Sequence, residues 1–226
     1  MAMKKRFFIT GTDTDAGKTF VAAGILAAAK RSGLATMGLK PVAAGAEEIE
    51  GDWRNDDALA LMAQTSAKLV YEQINPVLLK RAIAPHIAAA EEGVSLSVRR
   101  LEGVIKGALL TPHDFALVEG AGGWRVPLNH REMLSDLAKS LRFPVILVVN
   151  MKLGCINHAT LTAEAIIRDG LNIAGWVANM GQDMPYYEEN VATINSIITA
   201  PLLAKLDKYQ CVEDSYLMFD NILSQL

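Results

Sequence analysis

The 226-residue chain is 51% hydrophobic, enough apolar material to bury a sizeable core in one domain spanning residues 1–226. Its formal net charge of -3 excludes an electrostatic case for nucleic acid or for an anionic membrane surface. Two cysteines, Cys155 and Cys211, make no disulfide scaffold and suit a reducing compartment, so a cytoplasmic protein is expected. The basic stretch 1–6 precedes an apolar run that breaks at Gly11, too short for a signal peptide or a membrane span.

In chain order, short apolar runs alternate with longer helical patterns, as parallel βαβ units do. Strands are predicted at 7–10, 35–40, 115–119, 145–150, 173–178 and 202–206. Helices are predicted at 18–31, 56–65, 94–110, 134–141, 158–168 and 188–198, with a weaker pattern over 215–226. Runs such as "PVILVVN" are apolar without alternation, which marks strands covered on both faces. The longest predicted loop is 44–55. The fold class is α/β, a parallel β-sheet flanked by helices.

The first strand leads into "GTDTDAGKT", residues 11–19. Gly17, Lys18 and Thr19 end it as a phosphate loop ends, and a helix follows, so backbone N–H groups and the helix dipole face an anion. Lys18 would reach terminal phosphates and Thr19 would bind Mg²⁺. Gly11 stands one residue further upstream than the common spacing, and Asp13 and Asp15 put acid where phosphate is expected. A tight turn that merely contains these residues is the bland alternative.

"GLKPVAAG" ends the second strand at Lys40, which Pro41 keeps out of helical conformation. If this strand lies beside the first, Lys40 shares a sheet edge with Lys18; otherwise it is a solvated charge. In "WRNDDALAL", Asn55 or Asp56 suits a helix N-cap, and Asp57 can turn inward as a metal ligand. "DFALVEGAGG" puts Glu119 at a strand's carboxyl end, where open α/β sheets bind ligands. A carboxylate there can hold Mg²⁺, and Gly120, Gly122 and Gly123 allow close backbone approach; its plain alternative is a solvated turn. Further on, Asn179 at a strand end can read an adenine edge or simply make a turn. Cys155 reads as a small buried residue, and His86, His113, His130 and His158 lack metal-ligand spacing.

Together, "GTDTDAGKT", "LKPVAAG", "RNDDALAL", "PHIAAAEEG", "LVEGAGGW", "PVILVVNMKLGCINHA", "LTAEAII" and "GWVANM" resemble the dethiobiotin synthetase family from about residue 7 to about residue 206. The resemblance implies a P-loop NTPase fold and a reaction that closes a cyclic urea. A 7,8-diamino fatty acid and CO₂ form a carbamate, ATP phosphorylates it, and the second amine closes the ring. It implies nucleotide contacts from Asp15, Ala16, Gly17, Lys18, Thr19, Phe20, Gly120, Ala121 and Gly122, with Asn179 and Met180 at the adenine. Mg²⁺ would be held by Thr19, Asp57 and Glu119, while Lys18 and Lys40 would act in catalysis. Thr14 and Lys40 would meet the substrate, and Gly154, Cys155, Ile156 and Asn157 would reach its carboxylate across a homodimer. The carboxylates near the loop would serve the diamine's amines or the metal.

Where that family often has a hydroxyl residue, this chain has Ala44 and Ala84, and "LLAKLDKY" replaces its usual glycine near the last strand. Rival readings are a dimeric switch ATPase of the partitioning or metal-delivery type, a nucleotide-dependent amidoligase module, and a non-catalytic module. Thr12 and Asp13 stand where the switches carry a lysine, and the length leaves no room for the amidoligase's glutaminase partner. Intact Lys18, Thr19 and Glu119 oppose the inert module.

Overall fold

Strong apolar runs become the strands of the central sheet, and the helical patterns cover it. The computed structural model describes residues 4–180, 183–206 and 216–226. In chain order the elements begin with β1 (Lys5–Gly11), α1 (Lys18–Arg31), β2 (Thr36–Leu39), β3 (Val42–Ala44), β4 (Glu47–Ile49) and β5 (Asp52–Arg54). Next come α2 (Asp56–Ala63), α3 (Tyr71–Ile74), β6 (Val77–Leu79), α4 (Pro85–Glu91), α5 (Val98–Ala108) and β7 (Phe115–Glu119). The rest is α6 (Leu134–Leu141), β8 (Val145–Asn150), α7 (Cys155–Arg168), β9 (Ile173–Asn179), α8 (Tyr187–Ile197), β10 (Leu202–Leu206) and a 3-10 helix, Tyr216–Ser224.

The main sheet has six strands in the order β10-β9-β8-β1-β7-β2, and every pairing is parallel. Side chains alternate between its faces as the two-residue period requires. Val145, Leu147 and Val149 of β8 enter one core, whereas Ile146 and Val148 enter the other. Because helices cover both faces, neither set meets water, which explains the unbroken apolar run.

Helix α1 is buried along most of its length because the sheet covers one side and the 3-10 helix another. Gly24 is the contact point: a Cβ there would stand 2.3 Å from the Phe219 ring. At the helix start Gly17 has φ 84, a left-handed conformation that frees the chain to turn from strand to helix.

The strands at 115–119, 145–150 and 202–206 and the helices at 18–31 and 134–141 have the expected bounds, but three features differ. β2 does not lie beside β1, because β7 stands between them. The 44–55 loop is instead the end of β3 followed by a hairpin, β4 with β5, and β3 pairs with β6 in a small parallel ribbon. Strands of three residues are too short to carry a period. The helix expected at 158–168 starts earlier, at Cys155, because Gly154 adopts φ 93 just before it. Cys211 and the end of "LLAKLDKY" beyond Leu206 lie outside the described residues.

Candidate active site at the carboxyl edge of the sheet

All parallel strands end at one edge, so residues distant in sequence meet there. The P-loop follows β1, Lys40 follows β2, and Glu119 ends β7, which lies between them. These three segments and α2 enclose a cavity of about 750 Å³. Thr14, Asp15, Gly17, Lys18 and Thr19 line it from the P-loop. Lys40, Asp57, Ala121 and Gly122 line it from the other segments. Ala43, Ala44, Ile83, Ala84, Val126 and Pro127 make part of the wall apolar, and Arg125 lies in the same wall.

The charged centre is compact. Lys40 Nζ lies 2.7 Å from Asp57 Oδ2 and 2.5 Å from Glu119 Oε1. Thr19 donates its hydroxyl to the same Glu119 oxygen at 2.8 Å. Asn55 is the N-cap of α2, accepting from Ala58 N at 3.3 Å, which leaves Asp56 exposed and turns Asp57 toward Lys40. Glu119 is fully buried, and its Oε2 has no hydrogen-bond partner among the described residues.

Thr19, Asp57 and Glu119 are hard oxygen donors, the type Mg²⁺ selects, and the unpartnered Oε2 offers a free lone pair. The residues fit such an ion. Among the described residues no group of three or more His, Cys, Asp or Glu side chains converges as a metal cage. Two carboxylates and a hydroxyl leave much of an octahedral shell to phosphate and water.

Burial alone would drive the Lys40 ammonium to lose its proton, but Glu119 and Asp57 outweigh it and raise its pKa above the ordinary value. Burial likewise opposes the Asp57 carboxylate, yet Lys40 holds it below the usual range. Lys18 moves the other way: burial, then the neighbouring Lys40 charge, lowers its pKa against the pull of Glu119, Asp57 and Asp15. Its Nζ donates to Asp13 O at 3.3 Å, arched over the loop.

The acidic residues of the loop part company. Asp13 is held by Lys152 Nζ at 2.8 Å and accepts from Thr14 N at 2.8 Å, so its carboxylate braces the loop rather than facing an amine. Asp15 is exposed at the cavity rim with φ 57. Ala16 is buried beneath it, and its carbonyl accepts from Asn179 Nδ2 at 2.8 Å. A Cβ on Gly17 would stand 2.1 Å from that same nitrogen, so only glycine lets β9 pack so closely under the loop. Met180 N donates to Leu206 O, tying β9 to β10.

Phe20 packs edge-on against Phe219 with centroids 6.0 Å apart, behind the loop. Gly120 accepts from Lys40 Nζ at 3.4 Å, and Gly122 has φ 60 where the turn bends toward Thr14. Gly154, Cys155, Ile156 and Asn157 do not line this cavity; they open α7 beyond the end of β8. Cys155 is buried, and burial pushes its thiol pKa up, the opposite of an activated nucleophile.

Arg125 was not among the expected site residues. Its one sequence signal is its position directly after the glycine turn and Trp124, while its ion-pair partner Asp169 is distant in sequence.

Residues 5–214 match a family described as an AAA domain. The chain is 62% identical over 201 residues to an ATP-dependent dethiobiotin synthetase BioD of Cellvibrio japonicus, covering 88% of each protein. It is 54% identical over 205 residues to the ATP-dependent dethiobiotin synthetase BioD of Pseudomonas aeruginosa strain UCBPP-PA14, covering 90% of each. In fold it is similar to the septum site-determining protein MinD complexed with Mg-ADP from Pyrococcus horikoshii. That match has TM-score 0.58 and 19% identity, covering 99% of this chain and 89% of that one. A ParA family ATPase from Chlorobium tepidum gives TM-score 0.56 at 14% identity, covering 98% and 91%. These distant likenesses establish the P-loop NTPase fold and nothing of the chemistry. The close relatives are of one kind over nearly the whole chain, which therefore belongs to the ATP-dependent dethiobiotin synthetase family.

Proposed function

We propose that this chain, as a single P-loop domain, makes dethiobiotin from 7,8-diaminononanoate, CO₂ and ATP. The observation that carries the reading is Lys18, Lys40 and Asp57 lining one cavity, with Glu119 buried against Lys40, in a chain 62% identical to a dethiobiotin synthetase. One amine adds to CO₂ and loses a proton, giving a carbamate. A carbamate oxygen attacks the γ-phosphorus of ATP, and the bond to ADP breaks. The second amine then attacks the carbamoyl carbon, expels phosphate and releases its proton as the cyclic urea closes.

Both reactants of the second step are anions, so the barrier is largely electrostatic. The P-loop backbone and Lys18 bind the phosphates, and Lys40 neutralises charge on the carbamate and the transferring phosphoryl. Thr19, Asp57 and Glu119 would hold Mg²⁺, which supplies further charge neutralisation on the phosphates when bound. The reaction needs no covalent nucleophile from the chain, in keeping with the raised pKa of Cys155. Thr14 and the Ala43 to Ala44 wall face the diamine. Asn179 and Met180 border the base, where the Asn179 donor is engaged on Ala16 and its carbonyl oxygen remains to accept.

A homodimer completes this reading, with Gly154, Cys155, Ile156 and Asn157 directed at the substrate carboxylate of the partner. It is supported by Leu153, a large apolar side chain 96% exposed, and by the exposed Leu161 two turns further along α7. A cytoplasmic location is part of the proposal; among the described residues no helix is long and apolar enough to cross a membrane. No partner beyond the small-molecule substrates and the second copy is invoked.

The test is to supply the purified chain with diamine, bicarbonate, Mg²⁺ and ATP and to look for dethiobiotin by mass. Product that requires all four is expected. Its absence, with ATP hydrolysis indifferent to the diamine, would overturn the reading in favour of a switch ATPase.

A further inference from the structure

The proposed metal ligands already surround a positive charge. Lys40 Nζ lies within 2.7 Å of Asp57 and 2.5 Å of Glu119, and its side chain is 4% exposed. Thr19 and Lys40 donate to the same oxygen, Glu119 Oε1. We infer that Lys40 is a placeholder for the metal: its ammonium neutralises Asp57 and Glu119 until a metal–nucleotide complex enters, and then moves to the phosphates. The inference rests on the proposed reading of Thr19, Asp57 and Glu119 as ligands.

Two arguments support it. Glu119 is fully buried, and a buried carboxylate left without a counter-charge is strongly destabilising, so the empty-handed protein needs Lys40 where it stands. An ammonium and a divalent ion sharing two carboxylates repel each other, and burial weakens the screening between them.

The direction of release follows from the surroundings. Among the described residues the remaining hydrogen-bond partner of Lys40 Nζ is Gly120 O, at 3.4 Å, and Lys40 lines the same cavity as Lys18. A triphosphate in that cavity offers the displaced ammonium a new anionic partner. Metal alone offers none, so metal and nucleotide must each strengthen the binding of the other. The same movement carries Lys40 to the transferring phosphoryl only when the metal is in place. A catalytic lysine is thereby kept off the phosphates until the site is complete.

The probe is Mn²⁺ alone, titrated into the full chain without nucleotide or diamine and followed by the electron paramagnetic resonance of the free ion. Wild type and Lys40→Arg, which keep the charge, should bind it weakly. Lys40→Met and Lys40→Gln, which remove the charge, should bind it on the order of tenfold more tightly or better. Both neutral variants should also melt lower than wild type in chelator and recover when Mn²⁺ is added. Using two neutral variants guards against one failing to fold. Neutral variants that bind Mn²⁺ no more tightly than wild type would overturn the placeholder role. So would neutral variants whose melting is insensitive to Mn²⁺. Dethiobiotin formation by wild type is scored separately: product without the Mn²⁺ effect rejects the placeholder and leaves the function, whereas no product rejects the function.

Discussion

Arg125 and Asp169 are 44 residues apart in sequence and form a two-pronged ion pair, with Nη1 to Oδ2 at 2.7 Å and Nη2 to Oδ1 at 3.0 Å. Trp124 Nε1 donates to the same Asp169 oxygen at 2.8 Å. Asp169 caps the end of α7, so it fastens the cavity wall that follows the glycine turn to a helix on the outside of the sheet. Burial alone would raise the Asp169 pKa, but the hydrogen bonds from Arg125 and Trp124 outweigh it and hold the carboxyl below its usual range.

Removing that acceptor should therefore loosen the wall without touching the charged centre. Asp169→Ala leaves a buried indole N–H without its partner and should cost about 1–3 kcal/mol of stability. The diamine KM should rise while kcat holds, because Lys18, Lys40 and Glu119 keep their places. Steady-state kinetics beside thermal melting checks both. A fall in kcat with KM unchanged would mean that the wall does not shape substrate binding.

The pH dependence of the same contact has a definite sign. Asp169 binds its proton more weakly in the folded state than in the unfolded one. Its contribution is thus complete above the unfolded value of about 4 and disappears as pH falls through the folded value. The melting-temperature gap between wild type and Asp169→Asn should be widest near neutrality and close on acidification. A gap that is constant down to strongly acidic pH would argue against an ionised partner for Arg125.

Glu119→Gln replaces a fully buried carboxylate that accepts from both Thr19 and Lys40. The fold should survive, since the amide is isosteric and can still accept one bond. Mg²⁺-dependent turnover should fall steeply, because an amide is a poor ligand for a hard cation. Activity unchanged at saturating Mg²⁺ would remove Glu119 from the metal site.

The two lysines should separate by what they lose. Lys40→Ala removes an electrostatic donor from the reacting centre, a change that typically costs on the order of 100- to 1000-fold in rate. Its ATP affinity should fall far less, because the P-loop and Lys18 remain. Lys18→Ala should damage both, since its side chain belongs to the phosphate cradle. ATP affinity measured beside single-turnover dethiobiotin formation distinguishes them. Equal losses of ATP affinity would reduce Lys40 to a phosphate anchor.

ATP cleavage should depend on the diamine, since the phosphoryl acceptor is the carbamate and not water. Phosphate release measured with and without diamine tests this directly. Vigorous hydrolysis that the diamine leaves unchanged would favour a nucleotide switch.

Much of this protein was legible in its sequence, because the relevant signals are short-range. The unbroken apolar run at β8, the two-residue alternation into separate cores and the Gly17 turn into α1 each depend on neighbours a few positions away. So do the placement of Lys18 and Thr19 after β1 and of Glu119 at the end of β7. A strand that ends in a carboxylate puts that group at the carboxyl edge of a parallel sheet whatever the strand order is.

Strand order itself was decided only in three dimensions. Inserting β7 between β1 and β2 brings Glu119 onto Lys40 across 79 residues, a contact that no period along the chain encodes. The answer to the acidic loop came the same way, since Asp13 is matched by Lys152 from 139 residues away. Arg125 carried no local signal beyond its place after the glycine turn, because its partner Asp169 lies beyond two helices and a strand. Periodicity reports which face of an element is apolar, a local property of the chain. Which charges meet is set by how those faces pack, because only the folded sheet brings the ends of distant strands within ion-pair distance.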